Sequence, residues 1–122
     1  MVSEFTGRYR EVVARYQAQG LYPFNMPVEI RVTGLDHPRD VGIDGAQPAL
    51  LSALSPRPDH PEWDVAVWLD ILTLPGTPAA DRAYRDIERW IYANYRPPYA
   101  AVRPEWSKAG PTPSVARGRT AR

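Results

Sequence analysis

An α+β fold is predicted for this chain of 122 residues: an incomplete antiparallel or mixed sheet of two to three strands, two flanking helices and one long ordered loop. Three observations predict it. Two stretches alternate side chains with the period of a strand, two others repeat apolar residues at helical spacing, and a proline-rich span without a period separates the strands. The order α, β, long loop, β, α, short β holds too little sheet to stand comfortably alone. It reads as a piece of a larger domain.

The first helix is expected over residues 3–19, where Phe5, Tyr9, Val12, Val13 and Tyr16 form one stripe of a 3.6-residue period. Ser3 is the expected N-cap, Gly20 the expected stop, and Arg8, Glu11, Arg15 and Gln19 the solvated face. The first strand follows a short apolar connector. Val28, Ile30 and Val32 point one way, Glu29, Arg31 and Thr33 the other, and Pro27 and Gly34 bound the run. A carboxylate and a guanidinium thus lie on one face, about 7 Å apart at ~3.3 Å per residue.

Residues 35–62 carry five prolines and no sustained period, with one apolar piece, Ala49 to Leu54, long enough for a helical turn or two. Connections of this length inside compact domains are uncommon and are usually functional or linkers. So many apolar residues indicate an ordered loop draped over the body. The second strand is expected over residues 64–74, with Val65, Val67, Leu69 and Ile71 on one face and Ala66, Trp68, Asp70 and Leu72 on the other. Two largely apolar faces suggest a strand covered on both sides. Asp70 stands out there and reads as a hydrogen-bonded structural carboxylate.

Thr77 is the expected cap of the second helix, residues 78–94, with Pro78 at its first position. Tyr84, Ile87, Ile91 and Tyr95 form its apolar stripe, and Asp81 and Asp86 with Arg82, Arg85 and Arg89 its solvated face. Pro97-Pro98 ends it, and residues 99–102 are the candidate third strand.

Composition excludes several classes of function. The absence of cysteine removes disulfides, thiolate metal sites and thiol nucleophiles. No apolar run approaches a membrane span of about 18 residues. The N-terminus lacks a secretory pattern, and localisation stays open. The formal charge of +1 includes Arg117, Arg119 and Arg122; without these three the body is at −2. A weakly acidic body argues against a nucleic-acid face. The only histidines, His37 and His60, each precede a proline and read as surface residues, without the company that zinc or a triad needs. No glycine-rich phosphate loop is present. Two readings of Glu29 and Arg31 remain open: a solvated face, or an active-site face. A carboxylate beside an arginine stays ionised and can take a proton, and the arginine can steady developing negative charge.

Four blocks carry a family resemblance: residues 24–36 (Phe-Asn-Met-Pro-Val-Glu-Ile-Arg-Val-Thr-Gly-Leu-Asp), 57–64, 69–78 and 101–108. In that order they resemble the substrate-binding domain of cholesterol oxidases with covalently bound FAD on a vanillyl-alcohol-oxidase-type fold. The resemblance implies oxidation of a 3β-hydroxysteroid at the expense of dioxygen, giving peroxide, and isomerisation of the 5-ene ketone to the 4-ene ketone. It implies catalytic roles for Glu29 in proton handling and for Arg31 in charge stabilisation and control of the oxygen path. It implies FAD in the parent enzyme, carried by an upstream domain that this chain does not contain, and often secretion. The expected partners are the sterol and dioxygen. The chain is then a C-terminal piece, residues 1–108, that binds no FAD and does not turn over alone.

After Lys108 the chain departs from the family, whose continuation is roughly Gly-Trp-Ala-Tyr-Thr. Codons AAG GGC TGG GCC TAC ACC, after loss of one G, encode Lys-Ala-Gly-Pro-Thr-Pro, which is Lys108 to Pro113. Residues 109–122 are therefore read as a disordered basic tail translated in a shifted frame. The gene's DNA tests this, because the other frame after Lys108 should resume the family sequence, and its failure to do so refutes the frameshift. Two other functions stay open at this point: a non-catalytic remnant or sterol-binding module that keeps an apolar pocket, and a small interaction domain that uses the basic tail.

Overall fold

The computed structural model describes residues 1–48 and 52–103. Its elements are α1 (Val2–Gln17), β1 (Val28–Gly34), a single 3-10 turn (Pro38–Asp40), β2 (Val65–Ile71) and α2 (Ala80–Asn94). The two strands form one antiparallel ribbon, and both helices lie against its apolar face. This agrees with the α+β fragment expected from the sequence.

The apolar stripe of α1 explains why it docks. Phe5, Val12 and Tyr16 fall on one face and are buried, and they meet Ala83 and Ile87 of α2. Val28 and Ile30 of β1 and Leu69 and Ile71 of β2 close the core from the sheet side. Alternation on the strands delivers these four to the helices and turns Glu29, Arg31, Trp68 and Asp70 away from them. The helices cover only that end of the ribbon. Val32 and Val65 stay 59% and 50% exposed, so β2 is not the strand covered on both sides that its composition suggested.

Gly20 does end α1. Its φ of 71° is left-handed, Gly20 N–H donates to Gln17 O (2.9 Å) and Leu21 N–H to Tyr16 O (3.0 Å). These are the two bonds of a Schellman stop, where a side chain would be strained. Other boundaries differ from expectation. The helix starts at Val2 with Met1 as N-cap, so Ser3 lies inside the first turn. Thr77 does not cap α2 either: its hydroxyl donates to Leu74 O (2.7 Å), and the chain enters the helix through Ala79, at a left-handed φ of 63°.

Residues 99–102 form no strand. The amides of Tyr99 and Ala100 donate to Arg96 O (2.9 and 3.1 Å), which closes a turn after Pro97-Pro98 and withholds them from a ladder. Asp86 leaves the solvated face assigned to it. Its carboxylate, 17% exposed, accepts from Arg15 and from the Tyr16 hydroxyl (3.0 Å) on α1, and from Arg89 (2.6 Å) on its own helix. Burial alone would raise its pKa. The Arg89 and Tyr16 hydrogen bonds, with the charges of Arg15 and Arg89, outweigh burial and lower it.

The long loop is ordered where it is described. Asp36 N–H donates to Leu54 O (2.8 Å), and Arg103 donates to Ser52 O and Ala53 O (3.3 and 3.0 Å). Residues 49–51 of the apolar piece, and the tail 109–122, lie outside the described residues. Arg57 grips Asp59 through two hydrogen bonds (2.8 and 2.6 Å), which hold that carboxyl at about 2. His60 stacks on Trp63 with ring centroids 3.9 Å apart, and its side chain is only 18% exposed. It is a packed residue, because an aromatic neighbour three positions on offers it a face; the sequence had placed it on the surface.

Tyr95 carries a pH dependence. It is buried, and its hydroxyl donates to Met1 O (2.9 Å). Burial first, then the nearby Glu4 charge and Tyr99, push its pKa from 10.0 to about 12. The folded state therefore holds this proton more tightly than the unfolded chain. Its contribution is complete below pH 10 and is lost as pH rises toward about 12. Thermal melts from pH 9 upward should show Tm falling through that window, and the fall should be shallower in Tyr95→Phe. An identical pH profile for the two proteins refutes the assignment.

Candidate functional site

The outward face of the ribbon collects the polar side chains that the helices leave uncovered. The register sets Glu29 opposite Asp70, Arg31 opposite Trp68 and Thr33 opposite Ala66. Two carboxylates therefore face each other across the strands, an arrangement that destabilises a sheet unless a cation intervenes. Arg31 intervenes. Its Nη2 donates to Asp70 Oδ2 at 2.7 Å, while its Nε lies 3.3 Å from Glu29 Oε1. The hydrogen bond to Asp70, followed by the charge of Glu29, raises the pKa of Arg31 and keeps it a cation.

The guanidinium also rests on an aromatic ring. Arg31 Cζ is 5.4 Å from the centroid of Trp68, within cation–π range. Trp68 is held in turn, because its Nε1–H donates to Thr33 Oγ1 at 2.9 Å. The face thus has an order: Thr33 fixes Trp68, Trp68 and Asp70 fix Arg31, and Arg31 leans toward Glu29. Glu29 and Arg31 are 57% and 51% exposed. They are open for a ligand to cover.

A clamp below β1 holds the end of the ribbon next to Glu29. Asn25 Oδ1 accepts from Thr73 Oγ1 (2.9 Å) and Leu74 N–H (3.0 Å), and its Nδ2 donates to Thr77 Oγ1 (3.0 Å). The chain entering β1 is thereby tied to the chain leaving β2. Tyr84 of α2 adds a bond from its hydroxyl to Ile71 O (2.9 Å). The ends of both strands cannot drift apart without breaking these bonds.

Alternation in the sequence placed Glu29 and Arg31 together, and the structure keeps them together. It does not bring His37 or His60 to them. Asp70 is hydrogen-bonded, as expected, but its partner is Arg31 of the other strand, which only the register could reveal. Alternation also puts Thr33 beside Glu29 and Arg31, and Trp68 beside Asp70; sequence reasoning missed the Trp68–Thr33 bond, the stacking of Arg31 on Trp68, and the Asn25 clamp. The lone carboxylate in an apolar strand was the one signal that pointed to these contacts.

Among the described residues no group of three or more histidine, aspartate and glutamate side chains could hold a metal. A cleft of about 390 Å³ lies elsewhere, lined by Glu4, Trp90, Asn94, Tyr95 and Tyr99, and none of these belongs to the ribbon face. A second, of about 350 Å³, runs along residues 38–46. No described helix is long and apolar enough to cross a membrane.

Chemically, the ribbon offers a carboxylate that can accept a proton and, beside it, a cation on a fixed aromatic base. Comparison with known proteins shows the family. The family model described as "Cholesterol oxidase, substrate-binding" matches residues 1–116. A solved structure of a solvent-stable cholesterol oxidase is 62% identical, with a TM-score of 0.79 over 83% of this chain. The crystal structure of cholesterol oxidase from B. sterolicum is 47% identical, with a TM-score of 0.79 over 84%. The chain spans 19% of the length of each of these enzymes. No curated protein matches.

Proposed function

The chain belongs to the cholesterol oxidase substrate-binding family, and on that premise we propose that it is the segment of a sterol oxidase that presents Glu29 and Arg31 to the reacting alcohol. The observation that carries this reading is the open face of the ribbon, where Arg31 is held as a cation by Asp70 and Trp68 beside a carboxylate that it only partly engages. The reaction is oxidation of a 3β-hydroxysteroid by dioxygen to a ketone and peroxide, followed by movement of the double bond from the 5-ene to the 4-ene position.

Glu29 acts as the proton acceptor and donor of this face. An exposed carboxylate becomes a better base once a sterol covers it, because an apolar neighbour disfavours its charged form. It can then take a proton at Oε from the carbon between carbonyl and double bond, and return it as the double bond moves into conjugation. Arg31 steadies the negative charge that appears on the sterol oxygen in that step, with a charge that does not titrate in the working range.

FAD is the cofactor that cholesterol oxidases imply, and the described residues do not fit it. Both helices carry an acid in the first turn, Glu4 in α1 and Asp81 in α2, where a pyrophosphate would need bare amides. Acids also line both clefts, Glu4 the larger and Asp44 the smaller. The flavin belongs to other residues of a longer enzyme, and the chain alone does not turn over. Substitution of Glu29 by glutamine in such an enzyme, with peroxide and 4-en-3-one measured separately, is the test.

A further inference from the structure

We propose that Asp70 is a positioning residue for Glu29: it takes the primary hydrogen bond of Arg31 and so keeps that guanidinium from closing on the Glu29 carboxylate. The inference rests on the reading of Glu29 as the proton acceptor of this face. It also accounts for an oddity of the ribbon. A carboxylate opposite a carboxylate is a poor cross-strand pair, yet Asp70 stands directly opposite Glu29.

The charged groups that the two strands place on this face are Glu29 and Arg31 from β1 and Asp70 from β2. Two anions therefore share one cation. The shares are unequal: Arg31 Nη2 donates a hydrogen bond to Asp70 at 2.7 Å, and its contact to Glu29, through Nε, is longer at 3.3 Å. Arg31 sits two residues from Glu29 on the same face, about 7 Å along the strand. That separation is well within the reach of an arginine side chain. Among the described residues, Asp70 and the Trp68 ring are the contacts of Arg31 that stand against a bidentate Arg31–Glu29 pair. Such pairs are short and strong. One would hold Glu29 ionised and weaken it as a base, since the proton would have to displace the guanidinium. Asp70 draws the Nη2 end of the fork across the ribbon, and the Trp68 ring supports the guanidinium there. Glu29 keeps an oxygen free for substrate.

The carboxyl of Glu29 can be titrated by carbon NMR in the 122-residue chain, as wild type, Asp70→Asn, Arg31→Met and the double variant. Asp70→Asn is expected to lower the Glu29 midpoint by about half a pH unit or more. The fall should be at least about twice as large with Arg31 present as in the Arg31→Met background, because Asp70 acts through Arg31. Equal falls in both backgrounds would mean plain repulsion between the carboxylates and would overturn the proposal. No fall, or a rise, would overturn it too. Asp70→Asn keeps the shape and relieves like-charge repulsion; should its amide spectrum lose dispersion, Asp70→Ser gives the same comparison. Turnover is not read here. If Glu29 were not the acceptor, Glu29→Gln would leave turnover intact while this titration result stood.

Discussion

In a full-length sterol oxidase carrying this segment, Glu29→Gln is expected to lower production of the 4-en-3-one by about 10²–10⁴-fold, the range for loss of a positioned general base. Glutamine keeps the shape and can still accept a hydrogen bond, but it cannot hold the proton. KM should change little, because an exposed polar tip contributes little to the burial of a sterol. The fold should survive, since the substitution removes one of two carboxylates that face each other across the ribbon. Arg31 keeps its shorter bond to Asp70 in the variant. Peroxide and conjugated ketone should be followed separately, because the first reports the oxidation and the second the isomerisation. If both continue within about threefold of wild type, a difference below 1 kcal/mol in barrier, Glu29 is a structural acid of a solvated face. The 122-residue chain given FAD and cholesterol is expected to release no peroxide.

Phe5→Ala is expected to destabilise the chain by about 3–5 kcal/mol, as for a large aromatic removed from a core. Phe5 is 1% exposed, stacks toward Tyr9 with centroids 6.4 Å apart, and belongs to the cluster that joins both helices. Complete domains are stable by about 5–15 kcal/mol, and this piece, with two strands, sits at the low end or below, so a sizeable unfolded fraction should be present at 37 °C. Urea unfolding should show a lower midpoint with an unchanged slope. A loss under about 1 kcal/mol would mean that Phe5 does not organise the core. The effect on the ribbon is indirect but physical: Val28, Ile30, Leu69 and Ile71 pack on this cluster. A loosened core lets the outward face move.

The elements were legible in the sequence because each obeys a local period. Phe5, Val12 and Tyr16 needed only 3.6-residue spacing to declare the buried face of α1, and Gly20 needed only its missing Cβ to declare the stop. The boundaries were less legible. Thr77 has the composition of a cap, yet Asn25, 52 residues away, recruits its hydroxyl. Pattern assigned Asp86 and Arg15 to wet surfaces; they pair because the helices pack side by side. The candidate strand at residues 99–102 failed because Arg96 O takes its amides first.

The sequence by itself determined which side chains leave the ribbon together: strict alternation sends Glu29, Arg31 and Thr33 to one side whatever the partner strand is. Only the tertiary structure decided what they meet. Strand register depends on the packing of Val28, Ile30, Leu69 and Ile71 against two helices, and a slip of one residue would have sent Asp70 and Trp68 to the opposite face. That register sets a second carboxylate across from Glu29 and an indole beneath Arg31, and so decides how the one guanidinium is shared.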